Sequence, residues 1–157
     1  MTRIVNSQEL EKFLPGEGKG RIVLVGGCFD ILHIGHVRFL SEAKGIGDYL
    51  IVLLESDKKA RKLKGRNRPV FIQSERAEML SALRSVDLVV LLPMMEDDDH
   101  YANLVKKIKP DVIVVTENDP NIEKKRRQAE EAGAELKIIP FTKTFSSSKL
   151  VKILGIE

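Results

Sequence analysis

Residues 26 to 36 read Gly-Gly-Cys-Phe-Asp-Ile-Leu-His-Ile-Gly-His, which sets two histidines three positions apart behind a glycine turn. Imidazoles donate hydrogen bonds to phosphate oxygens. Gly26 and Gly27 let the backbone turn tightly and approach a ligand where a Cβ would collide. The preceding residues, Arg21 to Val25, form a short apolar run of the kind buried on both faces of a sheet. From Gly35 onward, Val37, Leu40, Ala43 and Lys44 fall at helical spacing, so His33 and His36 stand at a helix N-terminus, where free N–H groups and the dipole favour an anion. A triphosphate lying in this cradle would meet both histidines.

Other groups point to the same kind of ligand. Lys58, Lys59, Arg61, Lys62, Lys64, Arg66 and Arg68 put seven cations in eleven positions. Such a run serves as a solvated face, a nucleic-acid patch or a seat for a small polyanion. With only 5% aromatic residues and none interleaved here, base-stacking platforms are few, so nucleic acid is not the expected partner. In an extended loop Lys64, Arg66 and Arg68, spaced two apart, would point to one side as a phosphate clamp. Ser74-Glu75-Arg76 opens a helix, on which Arg76 reads as a partner in an i,i+3 or i,i+4 surface pair. Thr142 to Lys149 bring hydroxyls and N–H groups to a last helix start. The acidic stretch Glu96 to Asp99 before His100 reads as a solvated first helical turn rather than a metal site. Cys28, the one cysteine, can make neither an intramolecular disulfide nor, alone, a zinc site.

These groups need a scaffold, and the chain alternates to supply one. A helix is expected over 6–14, capped by Asn6, then strands over 21–25, 49–54, 88–92, 112–115 and 136–139. Between and after them come helices over 35–44, 73–83, 101–108, 122–132 and 147–154, with the basic run as a loop. The pattern predicts one α/β domain, a doubly wound five-stranded parallel sheet whose ligand sits beyond the strand carboxyl ends. A length of 157 residues with 43% hydrophobic and 31% charged residues suits one such core, and a net charge of +3 with pI near 9.0 suits an anionic ligand. No apolar run approaches the roughly 20 residues that span a bilayer, and the first residues lack a signal-peptide core, so no membrane partner and a cytoplasmic location are expected.

Gly-x-Phe-Asp followed by His-x-Gly-His resembles the signature of the nucleotidyltransferase superfamily, which includes cytidylyltransferases, several adenylyltransferases and, more distantly, class I aminoacyl-tRNA synthetases. The resemblance runs over about residues 20 to 154. It implies a Rossmann-like fold and transfer of a nucleoside monophosphate from a triphosphate to a small phosphorylated acceptor, with Mg²⁺ as cofactor and a homodimer as the assembly. It makes His33, His36, Lys64 and Arg76 the catalytic cations. Gly27, Cys28, Phe29, Asp30 and Gly35 become one half of the nucleotide site, and Arg66, Thr142, Lys143, Ser146, Ser147 and Ser148 the other. Thr116, Glu117, Asn118 and Asp119 become the loop that holds the base or the acceptor. Whether Asp30 orients acceptor, histidine or metal stays open. The chain departs from the family in two places. Phe141 stands where an arginine and Thr144 where a glycine is expected, with Lys143 as a substitute charge, and Thr116 to Asp119 replace a Gly-Gly-Asp type loop. The Gly-Cys-Phe-Asp opening and Leu63-Lys64-Gly65 look most like the heptose 1-phosphate adenylyltransferase branch, ahead of glycerol-3-phosphate cytidylyltransferase and archaeal FAD synthase, so ATP is expected over CTP. A nucleotide sensor without catalysis is the alternative from another class.

Overall fold

Continuous runs of Val, Ile and Leu need cover on both faces, and the sheet provides it. In the computed structural model, which describes residues 1–18, 20–144 and 146–156, six strands lie in the order β1 (Arg3–Asn6), β4 (Leu88–Leu91), β3 (Tyr49–Leu54), β2 (Ile22–Gly27), β5 (Val112–Thr116) and β6 (Glu135–Ile139). Every neighbouring pair is parallel. The helices are α1 (Ile34–Gly45), α2 (Asp57–Lys64), α3 (Gln73–Ser81), α4 (Asp98–Ile108), α5 (Ile122–Ala132) and α6 (Ser147–Ile153). Among the described residues, no helix is long and apolar enough to cross a membrane.

Alternation along the strands divides the core. Val23, Val25, Val52 and Leu54 pack with Leu40 and Ala43 of α1 and Ala77 and Leu80 of α3. On the other face Leu24, Ile51, Leu53 and Ile113 pack with Leu104, Val105 and Ile108 of α4 and Ala129 of α5. Leu40 and Leu80 are completely buried, each contributing about 1.5–3 kcal/mol of burial free energy, so truncation of either loosens its helix from the sheet.

Two elements differ from the sequence expectation. The sheet has six strands rather than five, because Arg3 to Asn6 pair with Leu88 to Leu91 instead of leading into a helix; only a 3-10 turn at Leu10–Lys12 remains of the helix expected over 6–14. The basic segment is a helix, not a loop. Ser56 accepts the Lys59 N–H at 3.1 Å as its N-cap, Ala60 is fully buried, and Gly65 ends it with φ 118°.

The strand order also makes the site. β2 pairs with β3 along its whole length, from Ile22 to Gly27, but with β5 only at Val23 and Leu24. The two strands therefore separate toward their carboxyl ends, where the winding reverses, and a crevice opens beside Gly26 and Gly27.

Candidate functional site

That crevice is a cavity of about 450 Å³, and the turn after β2 forms its floor. Phe29 and Ile31 hold left-handed backbone at φ 47° and 51°, a strained conformation for side chains of their size. The residue between them holds the turn in place. Asp30 Oδ2 accepts hydrogen bonds from Arg68 Nε at 2.7 Å and Val70 N at 2.8 Å, and Oδ1 accepts one from Phe71 N at 3.1 Å. Burial pushes its carboxyl pKa up, but the Val70 N–H, the Arg68 guanidinium and the Phe71 N–H outweigh that and leave it below its ordinary value. Asp30 lines the cavity, and both of its oxygens are engaged by protein donors. Cys28 is buried with its thiol pKa raised, first by burial and next by Glu55, which suits a packing residue.

His33 and His36 meet as the spacing predicts. His33 is the N-cap of α1, its Nδ1 accepting the Gly35 N–H at 3.1 Å, and His36 Nδ1 accepts the His33 N–H at 3.4 Å. Their rings stack with centroids 3.8 Å apart. Gly35 permits this contact, since a Cβ there would lie 2.9 Å from His33 Cε1 and 3.0 Å from Thr144 Cγ2. Burial, the neighbouring His33 and Lys64 hold the His36 pKa down at about 4, and burial lowers that of His33. Both rings are therefore neutral at pH 7. With Nδ1 accepting in each, the ring proton sits on Nε2, which gives each of these two cavity-lining rings one N–H donor.

The three cations expected to form a clamp differ in their places at the site. Lys64 and Arg68 line the cavity and Arg66 does not; all three border a smaller neighbouring cleft with Asn67 and Val151. Arg68, 4% exposed, turns inward to Asp30 and donates from Nη2 to Ser147 Oγ at 2.9 Å. A helix through Lys64, followed by a turn at Gly65, removes the two-residue alternation that an extended loop would have. Arg76 also differs from expectation. It is 0% exposed and does not border the cavity; Nε donates to Phe71 O at 2.9 Å, Nη1 to Cys28 O at 2.6 Å, and Nη2 to Glu55 O at 3.0 Å and Asp57 Oδ1 at 2.7 Å. With four N–H bonds satisfied by the chain, it holds the glycine turn, the start of α2 and the start of α3 together beneath the site.

Across the cavity stand Thr142, Thr144, Ser146, Ser147 and Ser148, with Ser146 capping α6 by accepting the Lys149 N–H at 3.2 Å. Phe145, part of the same segment, lies outside the described residues. Lys143, expected as the substitute charge, is exposed and does not border the cavity, whereas Phe141 does. Of the loop after β5, Thr116, Asn118 and Asp119 line the cavity. Glu117 does not, because its Oε1 accepts the Phe141 N–H at 3.0 Å. Asp119 is tied to Lys125 Nζ at 2.6 Å. The acidic stretch before α4 acts as the solvated cap expected of it, with Asp97 accepting the His100 N–H at 2.9 Å.

Sequence reasoning missed Phe39, Asn121 and Lys125 on the cavity wall and the scaffold role of Gln73, whose Nε2 donates to Leu54 O and Leu92 O at 3.0 and 2.9 Å. Helical spacing from Gly35 could have flagged Phe39; the others depend on packing between distant segments. Among the described residues, no three His, Cys, Asp or Glu side chains converge to hold a metal ion, and Asp30 is committed to N–H donors. These side chains do not form a cage for Mg²⁺, an ion that commonly arrives on a triphosphate.

The sequence profile described as Cytidylyltransferase-like matches residues 24–153. The bifunctional protein HldE of Campylobacter concisus is 39% identical over 150 residues, 96% of this chain and 30% of that protein. Its counterpart from Sulfurimonas denitrificans is 44% identical over 140 residues, 88% of this chain and 28% of that protein. The chain thus spans about a third of the length of these curated relatives. A lipopolysaccharide core biosynthesis protein from Thermoplasma volcanium superposes with TM-score 0.64 at 28% identity, over 80% of this chain and 99% of that one. Pantoate-beta-alanine ligase from Francisella tularensis superposes with TM-score 0.68 over 97% of this chain and 73% of that one, and at 15% identity it shares the fold alone. Because the matched region runs from the strand bearing the glycine turn, through both histidines, to the helix after the serines, the chain belongs to the cytidylyltransferase-like family of nucleotidyltransferases.

Proposed function

We propose that this chain transfers AMP from ATP to a sugar 1-phosphate, with heptose 1-phosphate as the first acceptor to test. The observation that carries the reading is the neutral, stacked His33–His36 pair at the start of α1, whose rings line the cavity together with Lys64. An acceptor phosphate oxygen attacks the α-phosphorus of ATP in line; the bond from that phosphorus to the bridging oxygen of the leaving group breaks, and pyrophosphate departs. The chain supplies alignment and donors for the charge on the transferring phosphate, and no protein nucleophile is needed. Cys28, buried as a neutral thiol, is not one. Mg²⁺ is proposed only as the companion of the triphosphate, and a homodimer is a further proposal to be checked by sedimentation.

Likeness to the HldE proteins and to the lipopolysaccharide core biosynthesis protein supports the sugar-phosphate branch over the glycerol 3-phosphate and FMN branches. Phe141 in the cavity favours a second reading, a nucleotide sensor without turnover. A matrix of four nucleoside triphosphates against heptose 1-phosphate, other sugar 1-phosphates, glycerol 3-phosphate and FMN, read by pyrophosphate release, tests both. ATP with a sugar 1-phosphate is expected to exceed CTP with glycerol 3-phosphate by about 10². Nucleotide binding without release in any pair would leave the sensor.

A further inference from the structure

A second cavity, of about 260 Å³, lies on the other side of the glycine turn and shares seven lining residues with the first, among them Gly26, Gly27, Cys28 and Lys125. Its floor is apolar, from Leu24, Leu53 and Ile113, and its rim is polar, from α2, α4 and α5. Glu55 stands at its inner end, fixed there because its N–H donates to Gly27 O at 3.0 Å. The Tyr101 hydroxyl lies 2.8 Å from Glu55 Oε1 and 2.9 Å from Oε2, yet it has one proton to give. A carboxylate accepts about four hydrogen bonds, so Glu55 keeps spare acceptor sites, and the tyrosine oxygen keeps its own. Lys59 lies over the Tyr101 ring at 5.5 Å, and Lys124 and Gln128 complete the rim.

We propose that this cleft holds the sugar of the acceptor, with Glu55 and Tyr101 binding its ring hydroxyls and Lys125, on the wall common to both cavities, meeting its phosphate. The inference rests on the transferase reading and adds the residues that select the acceptor. Hydroxyls are donors, and a half-buried carboxylate with unfilled lone pairs is a seat for them that an apolar acceptor could not use. The apolar floor matches the C–H face of a sugar ring. Because Gly26, Gly27, Cys28 and Lys125 line both cavities, an acceptor phosphate held by Lys125 would stand next to the nucleotide cavity.

The isosteric variants Glu55→Gln and Tyr101→Phe test it, with heptose 1-phosphate as the varied substrate and ATP affinity measured separately by calorimetry. Each variant should raise KM for the sugar phosphate about tenfold or more while the Kd for ATP stays within about twofold. A merely structural role would move both constants together. Unchanged sugar-phosphate KM in both variants, with the wild-type protein turning over, overturns the inference and leaves the transferase reading standing. Absence of pyrophosphate release by the wild type with every sugar phosphate overturns the transferase reading, and this inference with it.

Discussion

Two sets of cations surround the site and differ in what answers their charge. Arg68 and Arg76 lie beneath it, buried, and bonded to Asp30, Asp57, Ser147 and three backbone carbonyls. Lys58, Arg61, Lys62, Lys64 and Arg66 lie in solvent along α2 and the turn after it. A buried guanidinium has already exchanged water for protein acceptors, so its removal leaves them dehydrated and bare; an exposed lysine keeps its water until a ligand displaces it. Residues of one chemical type, close together in the chain, therefore set the shape of the site in one place and its affinity for anions in the other.

The comparison breaks most easily at Arg76. Arg76→Met strands the carbonyls of Cys28, Glu55 and Phe71, while Asp57, 38% exposed, regains water. At about 1–3 kcal/mol for each stranded acceptor, the substitution should cost about 3–5 kcal/mol of folding free energy, seen as a lower urea midpoint. Arg68→Met should cost less, because Asp30 keeps the Val70 and Phe71 N–H groups. If Arg76→Met unfolds at the wild-type urea concentration, the buried cations are not the frame described above.

The histidines, neutral rather than cationic, join the two roles, since their Nδ1 atoms accept backbone N–H groups and their rings line the cavity. His36→Ala should lower kcat by about 10² while costing under about 2 kcal/mol of stability. Wild-type turnover in that variant would remove His36 from the chemistry. Its titration gives a second test. The folded-state pKa of about 4 lies below the ordinary 6.5, so the unfolded chain binds more protons between those values and stability falls as pH drops through that window. From pH 6.5 to 5 the loss due to His36 should be about 2 kcal/mol. Lowered His33 adds in the same sense, whereas Glu55, its carboxyl pKa raised chiefly by burial, works oppositely as pH falls toward its ordinary 4.5. The difference between wild type and His36→Asn, by urea unfolding at pH 6.5 and 5, isolates the residue; equal losses in both would mean that His36 is not held neutral.

How much was legible in the sequence follows the same division. Buried strands, the glycine turn and the two histidines are local signals, carried by runs of Val and Leu or by spacing within one segment, and they stand where expected. β1 was not legible, because Ile4 and Val5 are a strand only by pairing with Val89 and Val90, more than eighty positions away. The Asp30–Arg68 contact spans 38 positions, and nothing near either residue marks it. Arg76 was misread for the same reason, since a helix-opening arginine looks solvated until Cys28 and Asp57 are brought to it. Helix α2 was legible in part: Ser56-Asp57 is a capping signal, hidden by a density of positive charge that suggests a loop.

The smallest expected effect sharpens the comparison within the exposed set. Lys64 borders the cavity and Arg66 does not, although they are two residues apart and both are exposed. Lys64→Ala should lower kcat/KM for ATP about tenfold, as loss of one charge-assisted contact does, and Arg66→Ala should lower it less. Stability should change by no more than about 0.5 kcal/mol in either, since neither side chain has a buried acceptor to strand. Because the attraction acts partly through solvent, the Lys64→Ala defect should shrink as ionic strength rises from about 0.01 to 0.15 M and the Debye length shortens. Steady-state kinetics on both variants at the two salt concentrations decides the matter. Equal losses for Lys64 and Arg66, vanishing together in salt, would mean that the whole basic face steers the nucleotide and that no single lysine at the cavity holds it.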